Sequence, residues 1–341
     1  MEKDMHYGAI HYLAYLAGIE KMEAKKIAWS SQLVDDAKFG GTVQLDDNNG
    51  YICANSAHRH LIDNLSVHTR LVWIPFHFVP DPKREGPFLE RLECVKDNEL
   101  AGRAVVEAIN EADIEVRPYR FGVALHAYAD TWSHWGFSGL PSDTNLVSKV
   151  KPLNVGQSLF EKVLSWFGSL FSREKNIIPI GHSYAATCPD LPYLKWQYVN
   201  QGASSPVPPR ENYEDFEKAL VNIYAYMNQY KGSPSSAAIP SSHHDTIVKL
   251  IRLRDDNEDR RLAQWEKDCR KAFGHDMPSY DGEIWITDAI GEDWKKFLCV
   301  TLSATSYNNF KKTDYWKFCE GLRKHLDYMV GELERGGIWL V

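Results

Sequence analysis

The sequence has no Cys-x-x-Cys pair, no internal repeat and no uninterrupted apolar run of membrane-spanning length. Each absence narrows the reading. The six cysteines (Cys53, Cys94, Cys188, Cys269, Cys299 and Cys319) are too scattered for a zinc knot or a disulfide framework, and read as reduced thiols. No window approaches the ~18 continuous apolar residues that a transmembrane helix needs. The opening MEKDMHYGAIHYLAYLAGIEK is broken by His6, Tyr7, His11 and Tyr12, and no small-residue cleavage site follows it. A soluble, cytoplasmic protein is therefore expected. Basic residues are in deficit, 39 against 46 acidic, and the formal charge of −7 argues against a broad nucleic-acid-binding face.

What the chain has in quantity is helical punctuation. Residues 4–18 start at Asp4, a candidate N-cap, and end at Gly18; residues 20–37 follow directly, so the two predict a helical hairpin. Residues 38–57 read as a loop, and 61–86 as irregular with room for a short strand. Helical runs are expected over 88–112, 117–136 and 211–231, and again through most of 243–335. Segment 156–175 is amphipathic, with Leu159, Phe160, Val163, Leu164, Phe167, Leu170 and Phe171 on one face. That face suits a lid or a lipid contact, although a helix packed on the core is the simpler reading. The stretch KGSPSSAAIPSS at 231–242 is the most linker-like. These elements predict an all-α fold: a metal-binding helical domain over 1–232 and a helical C-terminal extension over 241–341 packed on it.

The chemistry concentrates in FGVALHAYADTWSHWGFSG, residues 121–139. Steps of four residues advance around a helix by about 40° each, so His126, Asp130 and His134 share one narrow stripe. Their apolar neighbours leave little room for solvent. An ionised carboxylate buried there costs several kcal/mol unless it is paired or bound to metal. A divalent ion compensates that cost, since imidazole and carboxylate are both zinc ligands; a histidine–aspartate hydrogen-bonded network tying helices together is the alternative. Further donors come from His6, from Asp35 and Asp36 at the end of the hairpin, from His68 and His77, and from His182 after a glycine.

This ordered set resembles the zinc-dependent phospholipase C and single-strand nuclease superfamily. The resemblance covers about residues 1–200 and rests on DMHY, the carboxylates closing the first hairpin, His68, HAYAD and two later histidines. The longer texture, with PFHFVP and GHSYAATCPDLP, looks like a bacterial branch of that superfamily. The resemblance implies a multi-helix bundle holding two or three zinc ions. By position, Asp35 or Asp36 with His68, His126 and Asp130 would hold one ion. His6 with bridging Asp130 would hold a second, and His134 with His182 a third. Two departures stand out. The superfamily's first ligand is the amine and carbonyl of an N-terminal tryptophan, whereas this sequence begins with Met1, so either Asp4 takes that place or one zinc is absent. The residue four after His182 is Ala186, and Asp190 is the nearest acid to substitute.

The implied activity is phosphodiester hydrolysis by a metal-bound hydroxide, with Asp35, Asp36 and Asp130 as the expected catalytic carboxylates. A phospholipase C-like action on lipid headgroups is favoured over a nuclease or nucleotidase, since a basic–aromatic strand-binding groove is missing. Two other classes compete. His244–Asp245 superficially resembles the pair of HD-type phosphohydrolases, although a helix cap explains it more simply. A chain that had lost ligands would be a metal-stabilised helical scaffold or binding module.

Overall fold

The computed structural model describes residues 1–57, 69–156, 179–200 and 207–340. The chain enters through a π-helical run, Asp4–Ala9, which continues into α1 (Ile10–Leu16) and, after a turn at Gly18, α2 (Lys21–Asp36). Then follow β1 (Thr42–Leu45), β2 (Gly50–Ile52), α3 (Thr69–Phe76), α4 (Phe88–Arg91), α5 (Glu99–Ile109) and α6 (Arg117–His134). The middle of the chain holds β3 (Val147–Pro152), β4 (Lys195–Asn200), β5 (Arg210–Glu211) and α7 (Asn212–Lys231). The last third contains α8 (Ser241–Ile251), α9 (Glu258–Phe273), α10 (Ile284–Ile290), β6 (Cys299–Leu302), α11 (Tyr307–Phe310) and α12 (Asp314–Arg335).

The all-α expectation is corrected by two small sheets. Residues 38–57 form a hairpin rather than a loop, with β1 antiparallel to β2, and β1 also pairs in parallel with β6 from the far end of the chain. The second sheet, in the order β3-β4-β5, takes strands from segments where none was expected. The fold is mixed, helices dominating and two three-stranded sheets at their margin. Such short strands depend on partners distant in sequence, which local periodicity does not register. In α3 the structure places a helix where irregular chain was expected, running through Pro75. The amphipathic segment 156–175 lies outside the described residues from 157 on. Among the described residues no helix is long and apolar enough to cross a membrane.

Helix α6 is the axis of the molecule. Every residue from Pro118 to His134 is buried, because α2, α5, α7 and α12 all pack around it. The closest approach is at Gly122, where a Cβ would stand 2.2 Å from the carbonyl oxygen of Ile27 on α2. Residues after 241 share the main core: Trp265 and Cys269 of α9, Trp285 of α10 and Phe318 and Leu322 of α12 are buried with Tyr7, Trp29 and Tyr119.

One core residue makes acid stability testable. His11 on α1 is fully buried and, among the described residues, neither ring nitrogen has a hydrogen-bond partner. Burial, with Lys25 nearby adding to it, lowers its pKa to about 3. An unfolded chain takes up this proton near pH 6.5 and the folded chain does not, so between these values the unfolded state binds more protons. Stability must then fall as pH drops below 6.5, by about 1.4 kcal/mol per pH unit from this group. His11→Leu should match or exceed the wild-type stability at pH 8 and gain on it progressively toward pH 5. Denaturant titrations at both pH values read this out, and parallel losses in the two proteins would refute it.

Candidate metal centre

The stripe predicted on α6 faces inward to a cluster of imidazoles and carboxylates. Asp130 is its hub. Its Oδ1 lies 3.0 Å from His6 Nε2 and 2.7 Å from the Met1 α-amine, and its Oδ2 lies 3.1 Å from His77 Nδ1 and 3.2 Å from His126 Nε2. On the next turn, His134 Nε2 meets Asp190 Oδ1 at 3.0 Å, and His182 Nε2 meets Asp190 Oδ2 at 3.3 Å. At the other end, Asp35 Oδ1 stands 3.6 Å from His126 Nε2 and 3.8 Å from His77 Nδ1. The donors form three groups, each compact enough to hold a metal ion: His6, His126 and Asp130; Asp35, His77 and His126; His134, His182 and Asp190.

The outer hydrogen bonds fix what these rings can do. His126 Nδ1 donates to the Ser31 carbonyl at 2.7 Å, His77 Nε2 to that of Ser56 at 2.9 Å, and His134 Nδ1 to that of His77 at 2.8 Å. His182 Nδ1 donates to the carbonyl of Ala186 at 2.7 Å. A carbonyl oxygen only accepts, so in each ring that outer nitrogen carries the proton. The inner nitrogen of a neutral ring is then a bare lone pair, and all four aim at a carboxylate. Lone pairs facing carboxylate oxygens at 3.0–3.3 Å repel, unless a proton or a cation lies among them. Carbonyl partners on the outer nitrogen are also the usual orienting contacts of metal-binding histidines. His6 adds a fifth imidazole, stacked on His126 with centroids 3.8 Å apart, and its Nδ1 is buried without a partner. The donor set fits a divalent cation.

Electrostatics divides the cluster. Burial, reinforced by His126 and the amine, holds the His6 imidazole well below its usual range, and burial lowers His182 to about 4 despite Asp190. These rings are neutral at ordinary pH, as metal binding requires. Burial acts against the charge on Asp130, yet His134, the amine, His126 and His6 overcome it and hold the carboxyl well below the usual range. His77 is also depressed by burial, but the contact with Asp130 outweighs that and raises it.

The structure brings together His6, Asp35, His126, Asp130, His134, His182 and Asp190 of the sequence-predicted set. It places two others elsewhere. Asp4 is neither a helix cap nor a member of the cluster, because both its oxygens accept from Arg261. Asp36 accepts from the Tyr280 hydroxyl at 2.7 Å and is in none of the three groups, so of the two adjacent carboxylates Asp35 joins the imidazoles. His68 lies outside the described residues. His77, counted among the further donors in the sequence but given no ion by the resemblance, joins Asp35 and His126 in one of the three groups. His244 is bonded to Glu217 at 3.1 Å and belongs to none of the three groups.

Fold and site together define a predominantly helical protein with a buried histidine–aspartate centre able to hold metal ions. The chain belongs to a family of unknown function, DUF6765, whose model matches residues 1–333. No curated protein and no solved structure matches it.

Proposed function

We propose that this protein is a metal-dependent phosphodiester hydrolase, with zinc as its metal and two or three ions per chain. The observation that carries the reading is the set of four imidazoles whose outer nitrogens are committed to backbone carbonyls while their inner lone pairs converge on carboxylates. The resemblance to the zinc-dependent phospholipase C superfamily supports the same chemistry. Zinc, when bound, supplies positive charge against a phosphoryl oxygen and makes water acidic enough to attack near neutral pH.

The chain's own residues then have distinct tasks. The carbonyls of Ser31, Ser56, His77 and Ala186 hold the rings in one tautomer and one orientation. Asp35 is the carboxylate that meets solvent, its side chain 33% exposed against 1% for Asp130, so it is placed to exchange a proton with the outside. Gln32 reaches both Asp35 and Asp36 at 3.4 Å and lines an adjoining cavity of about 520 Å³. The cavity wall carries Phe39, Ile286 and Trp294, and four carboxylates (Asp36, Glu258, Asp281 and Glu283) against two lysines, Lys3 and Lys38. A polyanion is poorly suited to that wall, which favours a lipid-headgroup phosphodiester over single-stranded nucleic acid.

The test is hydrolysis of bis(4-nitrophenyl) phosphate by protein purified without chelator. Turnover should be abolished by a chelator and restored by zinc, and chelation should also lower thermal stability, by about 4 kcal/mol where free zinc had stood a thousandfold above its Kd. A second reading, a metal-stabilised scaffold, is favoured by how closed the centre is: His6, His126 and Asp130 are at most 1% exposed. Structural sites are closed, whereas catalytic sites keep an open position. One tightly held zinc with no turnover would select the scaffold.

A further inference from the structure

Residues after 241 contribute no donor to the three groups, yet one of them is tied to the centre through the N-terminal run. Arg261 lies on α9 with its side chain 1% exposed. Its Nε donates to Asp4 Oδ2 at 2.9 Å and its Nη2 to Asp4 Oδ1 at 3.1 Å, a two-pronged grip on one carboxylate. Nη2 also donates to Glu2, and Nη1 donates to the Asp255 carbonyl at 2.6 Å. The guanidinium is thus held from its own side by the loop before α9, and it holds the π-helical run on the other.

That run is wedged between two helices. Asp4 faces α9, while His6, two residues on, directs Nε2 at Asp130 Oδ1 on α6. Two residues further, Gly8 lies so close to α9 that a Cβ would stand 3.0 Å from Leu262 and 3.1 Å from Trp265. A π-helical run departs from ordinary helix geometry and is frequently found at functional sites. Here it allows one turn to present a carboxylate to α9 and an imidazole to α6. A buried ion pair contributes little net stability compared with an apolar pair of similar volume, so stability alone does not account for it.

We infer that Arg261 is a positioning residue of the metal centre: by gripping Asp4 it sets the His6 imidazole against Asp130. The C-terminal third therefore completes the centre without giving it a ligand. The inference rests on the metal reading above. Its scope also fits the family model, which runs through both regions to residue 333.

The test is zinc stoichiometry and affinity in Arg261→Lys, compared with wild type and with His6→Ala. Lysine keeps the charge that Asp4 needs but not the two-pronged grip. The expected result is a folded protein in which one zinc equivalent, the one lost in His6→Ala, is bound roughly 10–100-fold more weakly while the others are unchanged. The double variant Asp4→Leu/Arg261→Met, which removes the fully buried pair and leaves only the partly exposed Glu2 without its cation, should show the same selective loss. Arg261→Lys and the double variant both binding every equivalent as wild type does would overturn the inference and leave the metal reading intact. So would a proportionate loss of all equivalents, which a general loosening of the fold produces. Wild-type protein that binds no zinc would remove both.

Discussion

Asp130→Asn is expected to lose more than one metal equivalent and all measurable phosphodiester hydrolysis. The substitution conserves shape, so its effect is chemical. The carboxylate has five nitrogens within 3.5 Å, on Met1, His6, His77, His126 and His134. An amide replaces one acceptor oxygen with a donor and removes the charge that those groups share. Second-sphere changes at metal sites cost ~10–100-fold in affinity, and removal of a carboxylate that four imidazoles share should exceed that. Elemental analysis of the purified variant gives the answer, and metal content equal to wild type would show that Asp130 is only the centre of a hydrogen-bonded network.

Gly122→Ala should be strongly destabilising. The new Cβ would stand 2.2 Å from the Ile27 carbonyl oxygen and 2.8 Å from Ser30 Cβ, both on α2, so relief requires the backbones of α2 and α6 to separate. Overpacking of this kind costs ~1–3 kcal/mol or more, and backbone contact puts this site at the upper end. The same movement would draw Asp35 and the Ser31 carbonyl away from His126, so metal affinity should fall with stability. Thermal unfolding with and without zinc measures both effects. Gly156→Ala, where a Cβ meets nothing within 4 Å among the described residues, is the control expected to change neither. An unchanged midpoint in Gly122→Ala would mean that the close packing of the two helices is not maintained in solution.

Most helices were legible in the sequence because burial repeats along one chain segment, α3 with its internal Pro75 being an exception. The α6 stripe followed from spacing alone, because helical geometry fixes which residues share a face. The strands were not legible, since β1 gains its second partner, β6, through pairing of Thr42–Leu45 with Cys299–Leu302 across most of the chain. Local propensity carries no record of such a contact.

The candidate site divides in the same way. Asp35 and Asp36 are adjacent and differ by about 100° around α2, so the choice between them depends on where α2 docks. Asp4 looked like a cap or a ligand because its partner, Arg261, is 257 residues away. His77 lies just beyond α3 and its Pro75, where helical periodicity no longer assigns a face. Asp190, named only as a substitute for a missing carboxylate, meets both His134 and His182.

The central claim, that the converging histidines and aspartates hold metal, is most directly tested by elemental analysis of wild-type protein purified without chelator and dialysed against metal-free buffer. The account predicts two or three equivalents of zinc per chain. No bound transition metal, with the protein folded and unable to take up added zinc, would contradict it.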